Sequence, residues 1–322
     1  MVKRSLLYTP MDNQQSLKDI PDVSLIGGKG VGLYWLAVNG FPVPPTWILS
    51  TELFDIGLYQ ARVHGQVGRL WQALQAIDAA DWQATQTLLH DLEPEHQLIV
   101  TTIEKMSLFD TVQEALRALP SDVLYWAVRS SATVEDNPQH SFAGQFHSRL
   151  TVLRHALWRA ICEVWAATYN SSVLSYCVQH QAPLPQMAVV LQPMQAISEQ
   201  ARGGVAFSHS PVPGMPGILI QATFGSAETV VQGYGGDLYV VNGTAMQMQE
   251  MPPPHIQVSS LEGRITTVAP PAAPALTEAE ARQLAALVKE IAERWGSPVD
   301  VEFFWPAGAT SPVIVQVRSA TG

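Results

Sequence analysis

The sequence predicts a mixed α+β chain, long enough for two domains or one large two-lobed one. Two kinds of pattern and the length lead there. Strand-like alternation appears at both ends of the chemistry: Leu124, Trp126 and Val128 alternate with Tyr125, Ala127 and Arg129, and Val299, Val301, Phe303 and Trp305 alternate with Asp300 and Glu302. Helical spacing fills the region before the first of these, with Leu70, Trp71, Leu74 and Ile77, then Val112, Ala115, Leu116 and Leu119. At 322 residues the chain has room for two domains or one large two-lobed one.

Composition narrows the function classes. An apolar share of 47% against a charged share of 14% allows a sizeable core. A net charge of -10 argues against nucleic acid or an anionic membrane as partner. Any phosphate site must then be built from a few local cations. Cys162 and Cys177 are the only cysteines, so no disulfide framework is expected and a cytoplasmic setting fits. The first residues lack the apolar run of a signal peptide. No stretch approaches the ~20 apolar residues of a membrane span.

Taken in order, residues 1–26 lead to Val23-Ser-Leu-Ile, read as a short apolar strand. Gly27-Gly-Lys-Gly-Val-Gly32 follows, then Leu33, Leu36 and Ala37 at helical spacing. A glycine loop at a helix N-terminus can hold phosphate with backbone N–H groups, and Lys29 would add charge. The spacing is not that of a Walker A loop; read alone, the loop fits a plain tight turn as well. Residues 52–120 read as helices whose apolar stripes are core. The strand carrying Arg129 runs into Ser130, Ser131, Thr133, Glu135 and Asp136, then the turn Asn137-Pro138, then Ser141-Phe-Ala-Gly-Gln145. A cation at a strand end beside hydroxyls and free N–H groups suits a polyphosphate. An ordinary surface turn closed by a salt bridge fits the same residues. Gln145 to Val152 alternates as a strand holding His147, Ser148 and Arg149. Residues 155–180 form a helical block, ended by Pro183 and Pro185. Met187 to Met194 is a strongly apolar strand.

The second half opens with Gly203-Gly-Val-Ala-Phe-Ser208. A strand and turn follow at Ile218 to Gly225, then Ser226-Ala-Glu228, and a strand at Asp237 to Val241. Proline density from 251 to 274 predicts loop. Thr277-Glu-Ala-Glu280 reads as a capping box opening a helix, and Gly296 ends it. In the strand after it, Asp300 and Glu302 share one face. The returning strand, Val313 to Arg318, puts Gln316 and Arg318 on one face. A hairpin would gather two carboxylates, an amide and a guanidinium. Carboxylates at i, i+2 can hold Mg²⁺ beside a polyphosphate; pairing with Arg318 at a solvated edge is the other reading.

Val128-Arg-Ser-Ser-Ala-Thr-Val-Glu-Asp followed by Ser141-Phe-Ala-Gly-Gln resembles the signature of the nucleotide-binding domain of the phosphoenolpyruvate synthase and pyruvate phosphate dikinase family. Rifampicin phosphotransferases and glucan water dikinases share that domain. The Gly-Gly-Lys-Gly loop upstream of Gly40-Phe-Pro-Val-Pro-Pro45 is similar to a second family block, with Thr46-Trp47 departing from it. The strand reaching Gln192 and Met194, the stretch around Glu228, and the Asp-x-Glu and Gln-x-Arg pair are similar to others. Gly225-Ser-Ala-Glu lacks a family glycine. Ser148 and Arg149 stand where members carry Thr then Tyr, and Cys177 stands where an arginine often follows the tyrosine.

The resemblance implies an ATP-grasp fold: two lobes of mostly antiparallel sheets enclosing a nucleotide cleft, with a helical insertion at about 52–120. It divides the chain into an N-terminal lobe, 1–194, and a C-terminal lobe, 195–322. It implies ATP and Mg²⁺ as cofactors. Lys29, Arg129, Glu302 and Arg318 would act in catalysis. Those four, with Gly144, Ser148, Arg149, Gln192, Met194, Glu228 and Gln316, would meet the nucleotide. Asp300, Glu302 and Gln316 would hold the metal. The family typically passes the β-phosphoryl group of ATP to a histidine on a swivelling domain and releases AMP and phosphate. None of the nine histidines here lies in a segment resembling that domain. The expectation is a free-standing phosphotransferase, whose acceptor is a small molecule or a histidine on a separate phosphohistidine-domain protein. The alternatives are a non-catalytic nucleotide-binding subunit or sensor, and an ATP-grasp ligase working through an acyl phosphate.

Overall fold

The computed structural model describes residues 6–10, 19–77, 81–135, 146, 148–194, 196–212, 214–260 and 264–320. The chain divides into two compact units, residues 1–31 with 45–193, and residues 32–44 with 194–322. Among the described residues, no helix is long and apolar enough to cross a membrane.

The first unit begins with β1 (Leu7–Tyr8) and α1 (Val23–Val38), of which residues from 32 onward count with the second unit. It continues through β2 (Trp47–Leu49), α2 (Thr51–Gln60), α3 (His64–Gln75), α4 (Trp82–Asp91), α5 (Glu93–Glu104) and α6 (Asp110–Arg117). Then come β3 (Tyr125–Ala132), β4 (Ser148–Leu153), α7 (Leu157–Ala166), α8 (Ser171–Gln179) and β5 (Met187–Pro193). The sheet order is β1-β2-β5-β3-β4, every pair antiparallel. One side of this sheet is core. Trp126, Val128, Val189 and Leu191 point there, among Phe54, Ile99, Ile161, Trp165 and Tyr169 from the helices. Burying each such side chain is worth about 1.5–3 kcal/mol. The helical insertion and the helical block after β4 therefore pack on one face and leave the other face of β3 and β5 for a different use.

Val23–Ile26 is helical rather than a strand. Asp22 explains it: its carboxylate accepts the Ser24 N–H at 2.8 Å and its carbonyl accepts the Ile26 N–H at 3.2 Å. That is an N-cap, which an apolar run of four residues does not reveal by periodicity. The helix then breaks at Gly27 (φ 68, ψ 173) before resuming.

The second unit contains β6 (Arg202–Phe207), β7 (Ile218–Phe224), α9 (Glu228–Val231), β8 (Asp237–Asn242), β9 (Ala245–Gln249), β10 (Ile256–Ser259), β11 (Ile265–Val268), α10 (Glu278–Trp295), β12 (Val299–Trp305) and β13 (Val313–Ser319). Its main sheet has the order β13-β12-β6-β7-β8-β9, again antiparallel throughout. Leu284, Val288 and Ile291 of α10 share a core with Val299, Val301, Phe303 and Trp305 of β12. The capping box at Thr277 and Glu280 is formed, and Gly296 ends the helix in the left-handed region at φ 85. Within 251–274 the loop expectation is corrected: β10 and β11 pair as an antiparallel hairpin. Prolines 252–254, 270, 271 and 274 flank these strands and interrupt neither.

Candidate functional site

In the first unit the candidate face of the sheet is the one turned away from the helical core. Arg129 and Ser131 lie on it two residues apart, roughly 7 Å along the strand. In register they face Val190 and Ala188 of β5, and Ala127 beside them faces Gln192. Ser148 of β4 lies opposite Arg129. The glycine loop of α1 is fixed to this face by Ser131. The Ser131 hydroxyl donates to the Ile26 carbonyl at 2.7 Å and accepts the Gly30 N–H at 2.9 Å. It thus bridges the helix break and satisfies one of the N–H groups that a helix start leaves unpaired. Gly27 makes the approach possible, since a Cβ there would lie 2.0 Å from the Ser131 carbonyl oxygen.

Lys29 is buried beside this junction and forms an ion pair with Glu135, just beyond the end of β3. The other Glu135 oxygen accepts the Ala132 N–H at 3.2 Å. The structure thus brings Lys29, Arg129 and Ser148 to one side of the sheet. Arg149 is on the other side. Its in-register neighbour is Val128, on the core face, and its guanidinium pairs with Glu163 of α7 at 2.9 Å. There it lines a cleft of about 810 Å³ together with Trp158, Arg159 and Glu163. Gln192 is buried and its amide N–H donates to Thr46 Oγ1 at 3.0 Å. The departure from the family pattern at Thr46 therefore has a partner: its hydroxyl orients Gln192. Gly144, with Asp136 and Ser141 to Gln145, lies outside the described residues.

The second unit presents the acidic hairpin. Across β12 and β13, Asp300 faces Arg318 and Glu302 faces Gln316, with a bulge directly after Glu302. All four side chains share one face, opposite the apolar core face of Val299, Val301 and Phe303. Arg318 Nε donates to Asp300 Oδ2 at 3.3 Å. Burial pushes the Asp300 carboxyl above the usual carboxylate range, and Arg318 offsets only part of that rise. The donor set is two carboxylates and an amide oxygen. Hard oxygen ligands of this kind suit Mg²⁺, which commonly takes one or two carboxylates and completes its shell with phosphates and water. A half-buried anion such as Asp300 gains from a cation nearby. Met194 is half-buried directly after β5. Glu228 opens the short α9, its N–H held by the Ser226 hydroxyl at 3.3 Å.

Sequence reasoning missed Glu135, Ser131 and Thr46 as positioning groups. The signal for Glu135 was present: an acid following a strand whose face already carried the site's cation.

Residues 23–322 match the family described as pyruvate phosphate dikinase, AMP/ATP-binding domain. The chain is similar to a probable phosphoenolpyruvate synthase of Archaeoglobus fulgidus, 26% identical over 314 residues that cover 94% of this chain and 40% of that protein. It is similar to a rifampicin phosphotransferase of Streptomyces sviceus, 30% identical over 299 residues, 88% of this chain and 33% of that protein. An uncharacterized phosphotransferase of Bacillus subtilis is 28% identical over 289 residues, 87% of this chain and 31% of that protein. The chain spans less than half the length of these relatives. A match over almost the whole sequence, on a mixed helical and antiparallel architecture of ATP-grasp type, places the chain in the family of pyruvate phosphate dikinase AMP/ATP-binding domains.

Proposed function

We propose that this domain binds Mg²⁺-ATP and provides the nucleotide half of a phosphoryl transfer, to a small molecule or to a histidine of a separate protein. The observation that carries the proposal is the site face of β3. There the lysine loop at a helix start is held by the Ser131 hydroxyl to the sheet face on which the strand register places Arg129. Lys29, Arg129 and Ser148 are assigned to the phosphates, and the family resemblance assigns Gly144 to them as well. Gln192 and the backbone at Met194 are assigned to the base, and Glu228 to the ribose. Glu302, Asp300 and Gln316 are assigned to Mg²⁺, and Arg318 to phosphate charge. When bound, Mg²⁺ neutralises and orients the phosphates.

Family membership supports ATP as the ligand. The chemistry asked of the residues is positioning and charge stabilisation rather than covalent catalysis. The acceptor's nucleophilic atom forms a bond to phosphorus while the bond from that phosphorus to its leaving phosphate oxygen breaks. The acceptor proton passes to solvent or to a base. A cytosolic setting is part of the proposal and is supported by two free, buried cysteines.

Phosphorus NMR of the chain with Mg²⁺-ATP and candidate acceptors tests this reading. A phosphorylated acceptor is expected, and Arg129→Ala should reduce turnover by at least about a hundredfold. AMP with phosphate would assign transfer of the β-phosphoryl group. ADP with an acyl phosphate would point to ligase chemistry. Tight ATP binding with no turnover on any acceptor or partner would overturn the enzyme reading in favour of a nucleotide sensor.

A further inference from the structure

The Lys29–Glu135 pair lies within the first unit, with side chains only 11% and 8% exposed. Glu135 is fixed independently of the lysine. One carboxylate oxygen accepts from Lys29, the other accepts the Ala132 N–H, and the Glu135 N–H donates to the Ala132 carbonyl at 3.2 Å. The carboxylate is therefore latched to the turn that closes β3. Lys29 sits on a flexible four-carbon stem, and its ammonium is a compact point charge. Its loop is held at the neighbouring residue, where the Gly30 N–H donates to Ser131.

A buried ammonium requires a counter-charge, and here Glu135 supplies it. A polyphosphate at the same lysine would need the same charge. The two anions compete for one cation. We propose that Glu135 is the resident counter-anion of Lys29, displaced from it when nucleotide phosphate arrives. This rests on the assignment of Lys29 to the phosphates and deepens it. Glu135 holds the ammonium in place while the site is empty. It also sets a threshold that weakly charged ligands do not pass, because only a ligand with enough phosphate charge takes the lysine from it. Glu135 is thus a positioning and selectivity residue, not one that touches the reacting atoms.

The test is calorimetric titration of the intact chain with ATP and with adenosine, in the parent and in Glu135→Gln. The amide retains an oxygen for the Ala132 N–H and removes the competing charge. ATP should bind Glu135→Gln about fivefold or more tightly than it binds the parent. Adenosine, which carries no phosphate, should bind both equally. The gain should vanish when Lys29→Met and Lys29→Met/Glu135→Gln are compared, closing a double-mutant cycle. Should Glu135→Gln not fold, Glu135→Asp is the second variant. It is one methylene too short to reach both partners, so it should tighten ATP binding in the same direction by a smaller factor. Equal or weaker ATP binding in a folded variant, or a gain that persists without Lys29, overturns the proposal. A parent chain that binds no ATP overturns the nucleotide reading itself, and the parent titration reports that separately.

Discussion

Gly27 carries more structural consequence than its size suggests. Its φ of 68 lies in the left-handed region, and its missing side chain leaves space for the Ser131 carbonyl. An alanine there meets both a backbone penalty and a clash with main chain that cannot move without disturbing β3. Gly27→Ala is expected to destabilise the first unit by about 2–4 kcal/mol, measured by urea denaturation, and to weaken ATP binding through displacement of Lys29. At this scale the face of β3 that carries the candidate residues was legible. The sequence spacing already separated Arg129 from Trp126 and Val128, and a two-residue period is robust within a single strand. Arg149 was not legible, because its face depends on register with a different strand. The bulge in the β3–β4 pairing sets that register and leaves no trace in composition. Glu135 was missed for a related reason: its partner is 106 positions away in the chain.

At the scale of elements, helix α10 was readable from end to end because its signals are local. The Thr277 hydroxyl accepts the Glu280 N–H, the Glu280 carboxylate accepts the Thr277 N–H, and Arg202 adds an ion pair at 2.7 Å. Burial works to raise the Glu280 carboxyl, but hydrogen bonds from Thr277 and Arg202, with the Arg202 charge, outweigh it and hold the group below its ordinary range. A carboxyl depressed in the folded state binds its proton more readily when unfolded. Its stabilisation is therefore present above the unfolded value of 4.5 and is lost as pH falls through the lower folded value. Glu280→Gln should lower the melting temperature at pH 7, and the gap to the parent should close as pH drops below 4.5. A gap that stays constant across this range would remove the charge from the explanation. The two elements misread from sequence failed for physical reasons. Val23–Ile26 has too few residues for periodicity to distinguish strand from helix, and only the Asp22 cap decides it. The β10–β11 hairpin is short and hidden between prolines that belong to its flanks.

At the scale of the whole molecule, a chain with a net charge of -10 is read here as binding a polyanion. That is reasonable only if a few cations are placed locally, and Lys29 and Arg129 are held on one sheet face in the first unit. The second unit contributes acids, an amide and Arg318 on one hairpin face. Hairpin alternation made that face legible from sequence, and the observed register pairs Asp300 with Arg318 and Glu302 with Gln316. What a single sequence leaves out is the acceptor, because acceptor chemistry depends on groups outside this pattern. The proposed function assigns both clusters to one Mg²⁺-ATP. Equilibrium titration of Mg²⁺-ATP into the parent, Arg129→Ala and Glu302→Gln tests it most directly, with folding of each variant checked by its melting curve. Both substitutions are predicted to weaken the same binding event by about tenfold or more, since each removes a charged contact. Undiminished Mg²⁺-ATP affinity in either folded variant would contradict it.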